Sequence, residues 1–209
     1  MNKKKYLLVG LLVTAVVLIA VAVFWKQPAE AYTPPITDAE GVEIPGSIAV
    51  IETVSLGSVE QSVTIRGADT TKHVLLFLHG GPGMPSSPWA TWNNFHTELE
   101  QHFILVHWDQ RGAGKSYSKD LTPEDVQLED FVSDTLELTD ILREKFDQDK
   151  IFLWGHSWGS GLGFETLRVN SEPYDAFIAS GVRPDWISIQ EMSYEKVLGV
   201  AYQANDTEG

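Results

Sequence analysis

The chain of 209 residues contains no cysteine. That one absence removes disulfides, thiolate nucleophiles, cysteine-ligated zinc and a lipid-modified N-terminal cysteine, and it leaves the redox compartment unreadable. Basic residues are scarce as well: 15 Lys and Arg stand against 29 Asp and Glu, for a formal net charge of −14. A phosphate-binding surface needs clustered cations to displace counterions. No such cluster exists beyond Lys26, which argues against a nucleic-acid partner. All the acidic residues follow Lys26, whereas four of the 15 basic ones stand at or before it. The remainder is therefore strongly acidic, which most often means a solvated, self-repelling surface. Internal repeats and low-complexity tracts are also missing. With 43% hydrophobic residues, the chain can bury one good-sized core, so a single main domain is expected.

Long apolar runs are limited to one. Lys3, Lys4 and Lys5 precede a stretch from Tyr6 to Trp25, interrupted by a single hydroxyl at Thr14. As a helix it would be about 30 Å long, enough to cross a bilayer. The positive-inside bias keeps the lysines cytoplasmic and places the domain outside, with Trp25 at the far interface. Residues 1–26 are thus expected to be a single-pass membrane anchor. The alternative is a signal peptide cleaved near Ala29-Glu30-Ala31, which would release a secreted domain. Residues 27–46, with Pro28, Pro34, Pro35 and Pro45, read as an extended linker.

Beyond the linker, short apolar runs recur between helical patterns. Ser62 to Arg66, Val74 to His79, Phe103 to Trp108, Ile151 to Trp154 and Ala176 to Ser180 read as strands. Trp89 to His102 and Glu129 to Phe146 read as helices, the second with Phe131, Leu138, Ile141, Leu142 and Phe146 along one face. A last helical pattern runs from Ile187 to Ala204. Strands alternating with helices predict an α/β sandwich of three layers around a mainly parallel sheet.

Three segments carry chemistry, each after a predicted strand. Gly155-His156-Ser157-Trp158-Gly159 lies between a strand and a helix. A sharp strand-to-helix turn strains its central residue and tolerates only small neighbours two before and two after, so the pattern predicts a nucleophilic Ser157 lifted above the strand ends. Ser160, Gly161 and Gly163 then let the helix approach the sheet. His79-Gly80-Gly81-Pro82-Gly83 is a tight bend of the kind that turns backbone N–H groups inward, as an oxyanion hole requires. Asp109-Gln110-Arg111-Gly112-Ala113-Gly114-Lys115-Ser116 ends like a phosphate-binding loop, yet the first glycine of such a loop would fall on Asp109, so a nucleotide is excluded. Asp109 and Arg111 are expected to brace loops at the rim of the site.

Together, in this order, the three segments resemble the α/β-hydrolases of the proline iminopeptidase family, from about Val63 to Ser180. The resemblance implies a serine aminopeptidase or a related amide or ester hydrolase, with a small peptide or ester as substrate and no cofactor. It carries the nucleophile onto Ser157 and the oxyanion-hole N–H groups onto Gly81 and Trp158. Serine at position 157 counts against dehalogenase or epoxide-hydrolase chemistry, where aspartate is usual. It further implies that residues 47–182 are the N-terminal part of the hydrolase core and that 183–209 begin a lid, in which Glu191 and Glu195 are candidates by location to hold a substrate amine.

The chain departs from that pattern after Ser157. The relay in this fold runs Ser, then Asp or Glu, then His, but all six histidines precede the serine: His73, His79, His96, His102, His107 and His156. His156 projects from a neighbouring elbow position and is read as packing, and His79 as a brace of its loop. The other four are read as surface or satisfied core residues, and no pair has metal-ligand spacing. Asp185 is the one acid that an earlier placement of the relay would use. The base and acid are therefore expected outside these 209 residues, the sheet is expected to be incomplete at its C-terminal side with an exposed edge near Ala176, and the chain as it stands is expected to be inactive or incomplete. The other class of function compatible with these residues is a catalytically idle binding protein at the membrane, or a gene fragment. Nothing in the sequence decides the oligomeric state.

Overall fold

The computed structural model describes residues 32–88 and 97–182, with isolated positions at 14, 194–196 and 198. Among the described residues no helix is long and apolar enough to cross a membrane. The run from Tyr6 to Trp25, apart from Thr14, lies outside them, as do Asp185, Glu191 and most of the helical pattern after Ile187.

Six strands form one sheet: β1 (Ile48–Leu56), β2 (Val59–Gly67), β3 (Val74–Leu78), β4 (Ile104–Asp109), β5 (Ile151–His156) and β6 (Tyr174–Ser180). Their spatial order is β1, β2, β4, β3, β5, β6. β1 with β2 and β2 with β4 pair antiparallel, and the three remaining pairs are parallel. The expected α/β class and mostly parallel sheet are therefore present. The runs Val74–Leu78 and Ile104–Asp109 are buried along their whole length, which explains why they read as unbroken apolar stretches rather than as alternating ones.

β1 escaped the sequence reading. Its residues are mostly half-buried, so it lacks the solid apolar run of the central strands. The signal that could have found it is Gly57-Ser58, at φ 52° and 66°, with Leu56 paired directly to Val59. Two positive φ angles in a two-residue loop make the turn that matches strand twist in a hairpin.

Helix α1 (Leu128–Lys145) and helix α2 (Trp158–Val169) pack against each other and against the sheet. α1 opens with the Gln127 N–H donating to the Asp130 carboxylate at 2.9 Å. Glu129 and Asp130 stand in its first turn and Arg143 and Lys145 in its last, each sign at the end where the helix dipole favours it. Phe131, Leu138 and Leu142 enter the core beside Leu76, Leu78, Trp108, Leu153 and Leu162. The helix expected over Trp89 to His102 has residues 89–96 outside the described ones; Leu99–Gln101 form a short 3-10 turn instead.

Part of the expected linker is packed. Thr33 and Ile36 are buried, and the Arg66 guanidinium donates to Thr33 Oγ1 and the Pro34 carbonyl while pairing with Glu100 at 2.8 Å. A buried cation needs acceptors on every side, and this stretch supplies two of them. At the other side of the sheet β6 is the outermost described strand, with Ile178 half-exposed.

Candidate active site

Ser157 sits between the last residue of β5 and the first of α2, at φ 55° and ψ −115°. A non-glycine residue holds such angles only where its surroundings over-determine them, and the neighbours show how. A Cβ on Gly155 would stand 2.7 Å from the Ser160 nitrogen, and one on Gly159 would run into the Leu78 carbonyl oxygen on β3. Both positions must lack a side chain for strand and helix to meet at this angle. The Ser157 N–H donates to the Ser180 carbonyl at the end of β6 (2.8 Å), and the Ser160 hydroxyl lies 2.8 Å from the carbonyl oxygens of both Gly155 and Ser180. Trp158, as the first helical residue, has an N–H with no intrahelical acceptor.

The turn after β3 passes alongside the serine: a Cβ on Gly80 would lie 3.3 Å from Ser157 Cβ. Gly81 follows at φ 125°, where a side chain would meet the Gly83 nitrogen at 2.7 Å. His79 is fully buried. Its Nε2 accepts the Gln110 N–H at 3.0 Å, so its Nδ1 carries the proton and donates to the Gly80 carbonyl at 2.8 Å. Burial pushes the imidazole pKa below its usual 6.5, against the opposing effects of the Gly80 bond and the Asp109 charge. His79 is thus a neutral brace of its own turn, as expected from its place.

Asp109 and Arg111 brace as expected. Buried Asp109 accepts the N–H groups of Ser86 (2.7 Å), Ser87 (2.8 Å) and Lys115 (2.9 Å), with the Ser87 hydroxyl as a further donor. It thereby holds the loop after the His79 turn to the loop after β4. Arg111 forks onto Asp134 of α1 at 2.9 and 2.7 Å and donates to the Asp125 carbonyl at 2.8 Å. That Asp134 bond raises the pKa of the guanidinium above its ordinary value. Asp134 also accepts from Gln61 Nε2 at 2.6 Å. Sequence reasoning missed Asp134 and Gln110, both of which are buried; the signal available was a lone acid on the apolar face of α1 and a polar residue beside the strand end.

His156 requires a correction. The packing role expected of it fails, because the ring is exposed and its Nδ1 lies 3.1 Å from Ser180 Oγ. It ends β5, where alternation turns Ile151, Leu153 and Gly155 inward and leaves this ring beyond the core. His73 and His102 are exposed and His107 is buried. His96 lies outside the described residues, and Glu195 is helical and exposed. Among the described residues no imidazole is hydrogen-bonded to the Ser157 hydroxyl.

Comparison with known proteins agrees with this fold. The sequence profile of the alpha/beta hydrolase fold family matches residues 73–206. A probable aminopeptidase of Bacillus subtilis (strain 168) is 43% identical over 122 residues, which cover 58% of this chain and 38% of that protein. The proline iminopeptidase of Neisseria gonorrhoeae is 32% identical over 108 residues, 52% of this chain and 32% of that protein. The chain thus spans about a third of the length of these curated relatives. Among solved structures, a proline iminopeptidase-related protein from Thermus thermophilus superposes with a TM-score of 0.53 at 26% identity, over 63% of this chain and 44% of that one. An epoxide hydrolase from Vigna radiata, at 23% identity and a TM-score of 0.55 over 69% of this chain and 45% of that one, shares the fold.

Proposed function

Since this chain belongs to the α/β-hydrolase fold family, we propose that it is a serine hydrolase of the proline iminopeptidase-like kind, acting on the amide of a small peptide or on an ester. The observation that carries the reading is the strained Ser157 at φ 55°, ψ −115°, at the head of a helix and with the Gly80 turn against it. In this reading the Ser157 oxygen bonds to the substrate carbonyl carbon, the π electrons move onto the carbonyl oxygen, and the N–H groups of Gly81 and Trp158 receive that charge. The hydroxyl proton passes to a base and from there to the departing amine or alkoxide. Water then releases the acyl group from Ser157.

The base is the weak point of the 209-residue chain. His79 has both ring nitrogens engaged, and His156 faces Ser180. Loss of the base from such a relay costs on the order of 10⁴ to 10⁶ in turnover, so the chain by itself is expected to hydrolyse slowly. A second reading is a catalytically idle binding protein. The run from Tyr6 to Trp25 would hold either at the outer side of a membrane, or direct it to secretion if cleaved near Ala31.

One experiment separates the two readings. A fluorophosphonate probe, which loses fluoride as the serine oxygen bonds to phosphorus, should label the folded chain at Ser157, slowly as the want of a base requires, and should not label Ser157→Ala. Equal labelling of the two proteins removes the hydrolase reading. A proline arylamide then tests the aminopeptidase reading, with slow release of arylamine, lost in Ser157→Ala, as the expected result.

A further inference from the structure

Gln110 is a buried amide, 1% exposed, standing between the two segments that flank Ser157. Its Oε1 accepts the Trp158 indole N–H at 3.1 Å, its Nε2 donates to the His79 carbonyl at 3.3 Å, and its backbone N–H donates to His79 Nε2 at 3.0 Å. An indole nitrogen can only donate and a backbone carbonyl can only accept. The group between them must therefore accept on one side and donate on the other. A glutamine does both with one planar amide; a carboxylate would satisfy the indole and repel the carbonyl, and an apolar side chain would satisfy neither.

What the amide joins gives it a role. The Trp158 ring, which also meets Phe131 edge-on at a centroid separation of 5.8 Å, belongs to the first residue of α2. The His79 ring and carbonyl belong to the turn that carries Gly80 and Gly81, and His79 is itself bonded to the Gly80 carbonyl. The pairing of β3 with β5 ends at Leu78 and Gly155; beyond it, Gln110 is hydrogen-bonded both to the His79 turn and to the Trp158 indole at the head of α2. We propose that Gln110 is a positioning residue that fixes the distance between the backbone donors on either side of Ser157, by fastening the Trp158 indole to the His79 turn. This rests on the serine-hydrolase reading for its consequence, though the fastening itself does not. A donor displaced by a fraction of an ångström loses much of its worth to a developing oxyanion.

The test compares wild type, Gln110→Met, Gln110→Glu, Trp158→Phe and the Gln110→Met/Trp158→Phe pair, using the full chain. The first readout is the rate of Ser157 phosphonylation by a fluorophosphonate. Gln110→Met and Trp158→Phe should each slow it about 10-fold or more, with the double variant no slower than the worse single one, because both cut one connection. Gln110→Glu should also slow it while keeping the indole bond. Wild-type rates in folded Gln110→Met and Trp158→Phe, or losses that simply multiply in the pair, overturn the proposal.

The second readout is deuterium exchange of the Trp158 indole proton, assigned by the signal missing in Trp158→Phe. It should quicken in Gln110→Met and stay slow in Gln110→Glu; equal exchange in wild type and Gln110→Met overturns the proposal. Should wild type label no better than Ser157→Ala, the hydrolase reading falls, and the indole exchange still decides whether Gln110 fastens the two segments.

Discussion

The elbow from Gly155 to Gly159 is shaped by side chains that are absent, whereas the loops after β3 and β4 are shaped by side chains that are present, buried and polar. At the elbow, two glycines admit a carbonyl and an amide at distances no Cβ permits. Opposite it, Asp109, His79 and Arg111 hold loops through hydrogen bonds whose partners lie far away in sequence. The two regions therefore tolerate opposite kinds of change. A sterically fixed turn fails when an atom is added; a polar brace fails when an atom is removed and its partner is left buried without a mate.

The largest effect should come from adding one methyl group at the elbow. Gly159→Ala drives its Cβ against the Leu78 carbonyl on a central strand, and backbone on both sides leaves no rotamer to escape into. A loss of about 4 kcal/mol or more is expected, read as a fall in the midpoint of denaturant unfolding. A midpoint within the spread of surface variants would break the steric account of the elbow.

Next is the brace at α1. Arg111→Met leaves Asp134, which is 0% exposed, without its cation, and stranding a buried charge costs about 3–5 kcal/mol. The paired variant Arg111→Met/Asp134→Leu should recover part of that loss, because it removes the stranded charge and leaves only the neutral Gln61 amide short of one acceptor. If the pair is as damaged as the single variant, the contribution of Arg111 lies in its packing and its bond to the Asp125 carbonyl.

A smaller effect concerns pH. Burial depresses the pKa of His79 below 6.5 in the folded chain, so below pH 6.5 the unfolded chain binds a proton that the folded one refuses. Stability associated with His79 is complete above that pH and declines as pH falls toward the folded value, with a slope of at most about 1.4 kcal/mol per pH unit. His79→Gln, compared with wild type by unfolding between pH 7.5 and 5 at about half-unit steps, should have the shallower dependence. An identical slope in both would mean that burial in this turn leaves the imidazole pKa where the unfolded chain has it.

Smallest of all should be Arg168→Ala, which breaks an exposed pair with Glu165 on α2. Such pairs are worth roughly 0.5 kcal/mol or less. This variant sets the scale against which the buried braces are measured, and its unfolding midpoint should stay within error of wild type.

The two regions also differed in how far they could be read in advance. The elbow is local: five consecutive residues between a strand and a helix state both the position of Ser157 and the reason for the small residues around it. Strands β3, β4 and β5 and helix α1 were legible for a similar reason, since runs such as Val74 to Leu78 are buried throughout and α1 repeats its apolar positions at helical spacing. β1 was hidden because half-buried edge residues carry a weak pattern, although Gly57-Ser58 marked its hairpin. The polar braces were visible as residues but not as bonds. Asp109 and Arg111 could be placed near the site; that Arg111 reaches Asp134, or that Gln110 spans Trp158 and His79, depends on how helices and loops come together.

The class of fold, the place of the serine and the turn that faces it follow from the chain alone, because backbone strain and strand-to-helix geometry are written in neighbouring residues. Which buried polar groups meet was settled when the elements packed together, and that packing has no local signature. It turned His156 outward toward Ser180, committed the His79 nitrogens to the Gly80 carbonyl and the Gln110 N–H, and folded Thr33 and Pro34 back against the Arg66 cation. The bonds of His156 to Ser180, of His79 to Gln110 and of Arg66 to Thr33 span 24, 31 and 33 positions, and a hydrogen-bond partner at that distance is chosen by packing rather than by any local pattern.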